Sequence, residues 1–414
     1  MAKQAGASKA EREKADRRRK RSWDFSQLVI GPWMRNKFDF SHDDFEPADI
    51  EGPVIVAINH TCAYDPILLG IAFRNKPLTF IASEHLLRMK PWGPVLDRHF
   101  SLIPHQKGAK SSRTALVAMK RIKRGESIFL AVEGEQTWDG RSLPVMPYTG
   151  KLVKGSGATL VTYMLEGGYL SAPRWSMEAR KGKVYGHKVN VYSPETLDKM
   201  TDEEVEAAIA KDLWFDTWEW QKTRADGPVR FKCKGGFAEG LERAVFTCPE
   251  CGAFGTLRSS GDNISCKCGF KVRMTDTGFF EPAEPIETIV DWEKTDREVL
   301  TVRIRELLAG KSAEAAEIFS DDNVTLVRIG EDHAEEEAAR GKLALIYKKG
   351  NFVLTIGEHE FNVPGISNMT MVLAARVVFS DESGYYELRS EKSSKTNLRK
   401  YVIAREILNV IVKE

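Results

Sequence analysis

Long apolar runs are missing from this 414-residue chain. The longest, Pro66 to Phe73, is far shorter than the roughly 18 residues that cross a bilayer, so no spanning helix is expected. Met1 to Arg21 is basic but has no apolar core, so no secretory signal is visible. Cysteine is scarce as well. Six in so long a chain exclude a disulfide scaffold, and four of them fall between Cys248 and Cys268, which favours a metal in a reducing cytoplasm; Cys62 and Cys233 are left over. Neither sign of charge dominates, with 61 Lys and Arg against 59 Asp and Glu. The positive charge that exists is local, from Lys3 through Arg17, Arg18, Arg19, Lys20 and Arg21. No internal repeat is present.

A hydrophobic content of 42% with 29% charged residues is that of a globular protein, which sets aside wholesale disorder and a membrane-embedded bundle. At this length two or three domains are expected. Residues 1–46 form a basic, aromatic membrane-proximal segment: a Lys/Arg/Glu/Ala stretch that permits a frayed helix or disorder, followed by Trp23, Phe25, Leu28, Val29, Ile30, Trp33, Met34, Phe38 and Phe40. Such a sequence suits a peripheral membrane protein, and equally a helix packed on a domain. Residues 47–226 alternate β-branched runs (Val54 to Ile58, Leu78 to Ala82, Ser101 to Pro104, Ser127 to Val132, Thr159 to Leu165) with helical stretches, the pattern of an α/β domain with a mainly parallel or mixed sheet. Ser111 or Ser112 caps a helix whose Ala115, Leu116, Met119 and Ile122 face inward while Lys120, Arg121, Lys123 and Arg124 face out, and Gly125 ends it. A hairpin is expected around Lys181 to Gly186, and Thr201 caps a helix carrying Val205, Ile209 and Leu213. Residues 227–285 hold the cysteine block. Residues 286–414 read as a helical connector, Asp291 to Leu308, then alternating antiparallel strands closed by a helix from Asn397, a pleckstrin-homology-like order.

The most informative stretch is Val54-Ile-Val-Ala-Ile-Asn59-His60-Thr61-Cys62-Ala63-Tyr64-Asp65-Pro66, where a buried-type strand ends in an ionisable cluster and a helix begins. Strand ends are where α/β folds place chemistry. His60 and Asp65 can meet across the turn, the carboxylate accepting from one imidazole nitrogen while the other serves as a base. A histidine at a strand end is otherwise often a satisfied structural residue.

This stretch resembles the N-H-x-x-x-x-D block of the PlsC-like glycerolipid acyltransferases, the lysophosphatidate acyltransferase family. A second block of that family corresponds to Leu102-Ile103-Pro104-His105 and a third to Glu133-Gly134-Glu135-Gln136-Thr137, in matching order. The resemblance spans roughly Val54 to Ser176. It implies His60 as general base, Asp65 as its orienter, and Glu133 with Gly134 as acceptor-binding residues, with Asn59, His105, Gln136 and Thr137 as further substrate contacts. It also implies a lysophospholipid acceptor, an acyl donor on acyl carrier protein or coenzyme A, and a cytoplasmic location at the inner face of the membrane. An alcohol is a weak nucleophile that needs such a base, and no metal is required to cleave a thioester. Two family arginines are replaced by His105 and Gln136, so permanent positive charge for an acceptor phosphate is absent there. Lys107, Lys110, Arg113, Lys151, Lys154 or Arg174 offer replacements. The fourth block, Leu160 to Leu165, lacks the usual proline.

Cys248-Pro-Glu-Cys251, fourteen residues, then Cys266-Lys-Cys268 suits a tetrahedral zinc with four thiolates, a zinc ribbon whose second knuckle is one residue tight. With four protein ligands no position is left open, so the metal is expected to be structural. Cys62 beside His60 reads as filler. The reading favoured is an O-acyltransferase of phospholipid biosynthesis. Its competitor is a lipid-binding or scaffold protein that keeps the acyltransferase shape. Nucleic-acid binding is not expected, because Pro249, Glu250, Ala253 and Phe254 bring little positive charge to the knuckles.

Overall fold

Helix α1 (Lys9–Phe38) opens the first of two compact units in a computed structural model that describes residues 9–107, 112–310, 315–330, 333–391 and 394–411. Lys110, Ser111 and the chain ends named above lie outside those residues. From Lys9 to Ser22 the described residues are helical, in keeping with their good helix propensity, and Arg19 donates to the Thr79 hydroxyl at 2.7 Å while the Ser22 hydroxyl lies 2.8 Å from His99 Nδ1. Trp23 Nε1 donates to the Arg74 carbonyl at 2.8 Å, the Trp23 ring stacks on Phe80, and Gln27 donates to the Gly70 carbonyl. Met34 and Phe38 complete this inner stripe at helical spacing. The opposite side is apolar too. Phe25, Leu28, Val29 and Trp33 are 65%, 76%, 51% and 55% exposed, a second stripe that a single inward face does not explain.

The sheet of this unit is built from β1 (Phe40–His42), β2 (Val54–Ile58), β3 (Leu78–Ser83), β4 (Ile103–His105), β5 (Ser127–Ala131), β6 (Thr159–Glu166) and β7 (Val184–Tyr192). Between them lie α2 (Asp65–Ala72) after β2, α3 (Glu84–Arg88) and α4 (Trp92–Phe100) after β3, α5 (Ser112–Ile122) after β4, α6 (Thr149–Ser156) after β5 and α7 (Gly168–Ser171) after β6. The helices α8 (Pro194–Asp198), α9 (Asp202–Leu213) and α10 (Thr217–Thr223) follow β7. The strand order is β1-β7-β6-β2-β5-β3-β4, with every pairing parallel except β6 to β7. This is the mixed, mainly parallel sheet expected. All five residues of β2 are buried, as they must be at the centre of a sheet covered on both faces. Ile55, Ala57, Ile128, Leu130 and Leu160 share one core with Ala118, Ile122, Val153, Val205 and Ile209 of the flanking helices.

Three expectations change. The hairpin around Lys181 to Gly186 is absent: β7 instead pairs with β6, from Leu160↔Tyr192 to Glu166↔Tyr185, and its first residues pair with β1 on the other side, so the large sheet takes up its backbone groups. On α5 the buried positions are Ala118 and Ile122, whereas Leu116 is exposed. Arg121, assigned to the outside, is drawn in by Glu126, its Nε 3.2 Å from Oε2. Thr201 does cap α9, in a reciprocal box with Glu204.

The second unit, described by itself, contains a small antiparallel sheet of β8 (Leu257–Ser260), β9 (Asn263–Cys266), β10 (Lys271–Met274) and β11 (Phe280–Glu281). Then come α11 (Ile289–Leu308) and seven strands: β12 (Ala315–Ile329), β13 (Glu335–Lys348), β14 (Asn351–Ile356), β15 (His359–Asn362), β16 (Ser367–Leu373), β17 (Arg376–Asp381) and β18 (Gly384–Arg389). They form an antiparallel sheet in the order β15-β14-β13-β12-β18-β17-β16, followed by α12 (Arg399–Ile411). Strands before a closing helix is the order expected. β15, of four residues, and β16, of seven, are the additions.

Candidate active site

The turn joining β2 to α2 is organised by one carboxylate. Asp65 opens α2 and is wholly buried. Its Oδ2 accepts from the backbone amides of Thr61 at 2.7 Å and Cys62 at 3.0 Å, and its Oδ1 accepts from the Thr61 hydroxyl at 2.8 Å and the Cys62 thiol at 3.2 Å. His60 Nδ1 lies 2.9 Å from the same Oδ2. An oxygen already accepting from two amide N–H groups acts as an acceptor toward the ring as well. Nδ1 therefore carries a hydrogen, and in the neutral ring the lone pair is the one on Nε2. The imidazole is partly exposed while its partner is not, the arrangement of an oriented base. Burial, with Asp65 beside it, pushes the Cys62 thiol well up, so Cys62 is no thiolate nucleophile.

Two further clamps hold the turn. Asn59 gives its side-chain amide to the Leu165 carbonyl at 3.0 Å and accepts from the Leu165 amide at 2.9 Å, tying β2 to β6. Both amide groups of this predicted substrate contact are thus spent on backbone. Glu133, just past β5, accepts from the amides of His60 at 3.1 Å and Leu143 at 3.0 Å. Burial outweighs those two donors and raises its carboxyl to about 8, so it is largely protonated at neutral pH. Gly134 follows with φ +67°, and a Cβ there would sit 2.4 Å from the Met146 sulfur. Both facts fit a position that only glycine occupies without strain. The Thr137 amide donates to the His60 carbonyl at 3.1 Å, closing the loop over the turn.

A cleft beside His60 is lined by Asn59, Thr61, Glu133, Thr137, Arg141 and Phe215 among others, with about 10 Å³ of room. That is room for about one water molecule beside the ring. His105, at the end of β4, and Gln136 do not line it. Arg141 does, and the sequence reading missed it. It lies eight residues past Glu133, beyond an Asp139-Gly140 turn, where its side chain pairs with Asp139 at 3.1 Å. Its backbone is fixed by the bond from the Ser142 amide to the Phe215 carbonyl. The signal available was the Asp-Gly turn, which folds the loop back on itself.

In the second unit, Cys248, Cys251, Cys266 and Cys268 bring their sulfurs within 4.8 Å of one another. Cys248 and Cys268 are 3.6 Å apart, Cys251 and Cys266 3.9 Å. A tetrahedron with metal–sulfur bonds of about 2.3 Å sets its sulfurs ~3.8 Å apart, so this donor set fits zinc, whereas a disulfide of about 2.05 Å does not. Gly252 and Gly269 turn each knuckle at φ +67° and +108°. Asp296, fully buried on α11, accepts from the Thr247 amide at 2.7 Å and Trp292 Nε1 donates to the Thr247 carbonyl at 2.8 Å, anchoring the first knuckle.

The profile of the Acyltransferase family matches residues 37–173, the segment that carries His60, Asp65 and Glu133, and this part of the chain is an acyltransferase domain of that family. The crystal structure of the 1-acyl-sn-glycerophosphate (LPA) acyltransferase PlsC from Thermotoga maritima is similar over 50% of this chain and 80% of that one, with 18% sequence identity and a TM-score of 0.42. No curated protein matches the chain by sequence.

Proposed function

We propose that this acyltransferase domain moves a fatty acyl group from a thioester, on acyl carrier protein or coenzyme A, to the free hydroxyl of a lysophosphatidate-like acceptor. The observation that carries the reading is the 2.9 Å contact of His60 Nδ1 with buried Asp65 at the edge of an open cleft. The acceptor oxygen attacks the thioester carbonyl as its proton passes to His60 Nε2. The tetrahedral intermediate then expels the sulfur, which takes that proton, leaving an ester and a free thiol.

Arg141 supplies the permanent positive charge that His105 and Gln136 do not, and it is the group proposed to hold the acceptor phosphate. Arg141→Gln is expected to raise the acceptor KM about tenfold, roughly 1.4 kcal/mol, with kcat little changed. Steady-state assays with a labelled acyl thioester, comparing lysophosphatidate with a phosphate-free monoacylglycerol, would read this. An equal effect on both acceptors would remove the phosphate role.

No helix among the described residues is long and apolar enough to cross a membrane. The reading is of a protein that docks on the lipid surface through the outer stripe of α1. Lys14, Arg17 and Arg21 run at helical spacing into Phe25, Leu28 and Trp33, cations for anionic headgroups and rings for the interface. Deleting the helix would also expose the core under Trp23 and Met34, so substitution is the cleaner probe. The pair Leu28→Glu with Trp33→Glu is expected to abolish sedimentation with anionic vesicles while the melting temperature holds; unchanged sedimentation would refute the surface. In the cysteine cluster, zinc is proposed as a structural ion held by all four thiolates.

A further inference from the structure

A second cavity lies beside the His60 cleft and is used by nothing described so far. It offers about 140 Å³, is open on one side, and is lined by Glu166, Lys183, Tyr185, Trp220 and Arg224. Its position is set by two links to the catalytic turn. Asn59 holds Leu165 by two hydrogen bonds, and of the next residues along, His60 lines the cleft and Glu166 the cavity. Phe215, which lines the His60 cleft, packs its ring 5.9 Å from Trp220. From the chain spacing, His60 and Glu166 are on the order of 10 Å apart.

The lining has a distinct chemistry. Arg224 lies over the Trp220 ring at 5.0 Å, and its Nε is buried without a hydrogen-bond partner. The carboxylate nearest its terminal nitrogens, Asp226, is 4.0 Å away and almost wholly exposed. Lys183 adds a second cation. Glu166 accepts from Trp220 Nε1 at 3.1 Å through Oε2, which leaves Oε1 for a ligand. A bare anion hole would not include that carboxylate. Two cations, two aromatic rings and one acceptor together suit a ligand that joins a phosphate to a flat, amino-bearing ring.

We propose that this cavity binds the nucleotide end of the acyl donor, an adenine nucleotide with its phosphates, and so makes the donor a coenzyme A thioester rather than a carrier protein. The ring rests against Tyr185 and Trp220 with its exocyclic amine on Glu166, and the phosphates meet Arg224 and Lys183. The assignment rests on the acyl-transfer reading above, yet it can be tested without turnover. Adenosine 3′,5′-bisphosphate is titrated into the full chain by calorimetry, with inorganic phosphate and glycerol 3-phosphate as comparisons. The bisphosphate is expected to bind the wild type, and Arg224→Gln or Lys183→Gln to weaken it at least tenfold with unchanged melting temperature. In assays the same variants raise KM for the coenzyme A thioester, but not for an acyl-phosphopantetheine donor that lacks the nucleotide. No binding by the wild type, equal binding by both variants, or a rise in acceptor KM instead of donor KM would overturn the assignment. Bisphosphate binding without any acyl transfer would overturn the reaction and leave the nucleotide site standing.

Discussion

His60→Ala is expected to lower acyl transfer by on the order of 10²–10⁴-fold while the protein remains folded. The magnitude is that of removing a positioned base from an alcohol that cannot ionise at neutral pH. The fold survives because the ring is only one of five groups directed at Asp65; the two amides, the Thr61 hydroxyl and the Cys62 thiol still satisfy the carboxylate. The His60 backbone amide also remains on Glu133. Ester formation from a labelled thioester gives the rate, and thermal melting gives the fold. A variant that turns over at the wild-type rate would place the base elsewhere. A lipid-binding scaffold would have no turnover to lose.

Cys251→Ser is expected to strip the metal and collapse the knuckles. The four strands β8 to β11 have between two and four residues each, too few to hold a sheet by their own pairing, so the zinc proposed there would supply much of the local folding energy. Loss should be uneven. The Cys248 side stays fastened through Thr247 to Asp296 and Trp292, whereas Cys251 and Cys268 are exposed and are released first. Metal analysis should fall from one zinc per wild-type chain to near none, and limited proteolysis should cut between residues 249 and 270. A variant that keeps stoichiometric zinc and resists cleavage would show that the fourth thiolate is unnecessary.

Much of this was legible in the chain. β2 announces itself because a strand buried on both faces must be apolar throughout, and the His60 and Asp65 turn follows directly from where it ends. The capping box at Thr201 is likewise a local device written in two residues. What was hidden depends on return paths. Arg141 reaches the cleft only because its loop folds back on Phe215, and Trp220 and Arg224 meet Glu166 across more than fifty residues. The outer stripe of α1 was seen as composition but not as a face, because a helix apolar on two sides shows weak periodicity. Lys181 to Gly186 misled through its glycines: Gly182 is there because the Phe231 ring lies 2.1 Å from where a Cβ would be, and no turn is required.

The crowding around Asp65 has a consequence for evolution and design at this position. An asparagine that kept its oxygen on the two amides and the ring would present N–H₂ to the Thr61 hydroxyl and the Cys62 thiol, and both would have to turn from donating to accepting. A single anion closes the loop and, in the mechanism proposed above, also aims the base. A change at Asp65 would therefore alter the shape of the turn and the orientation of the His60 ring together.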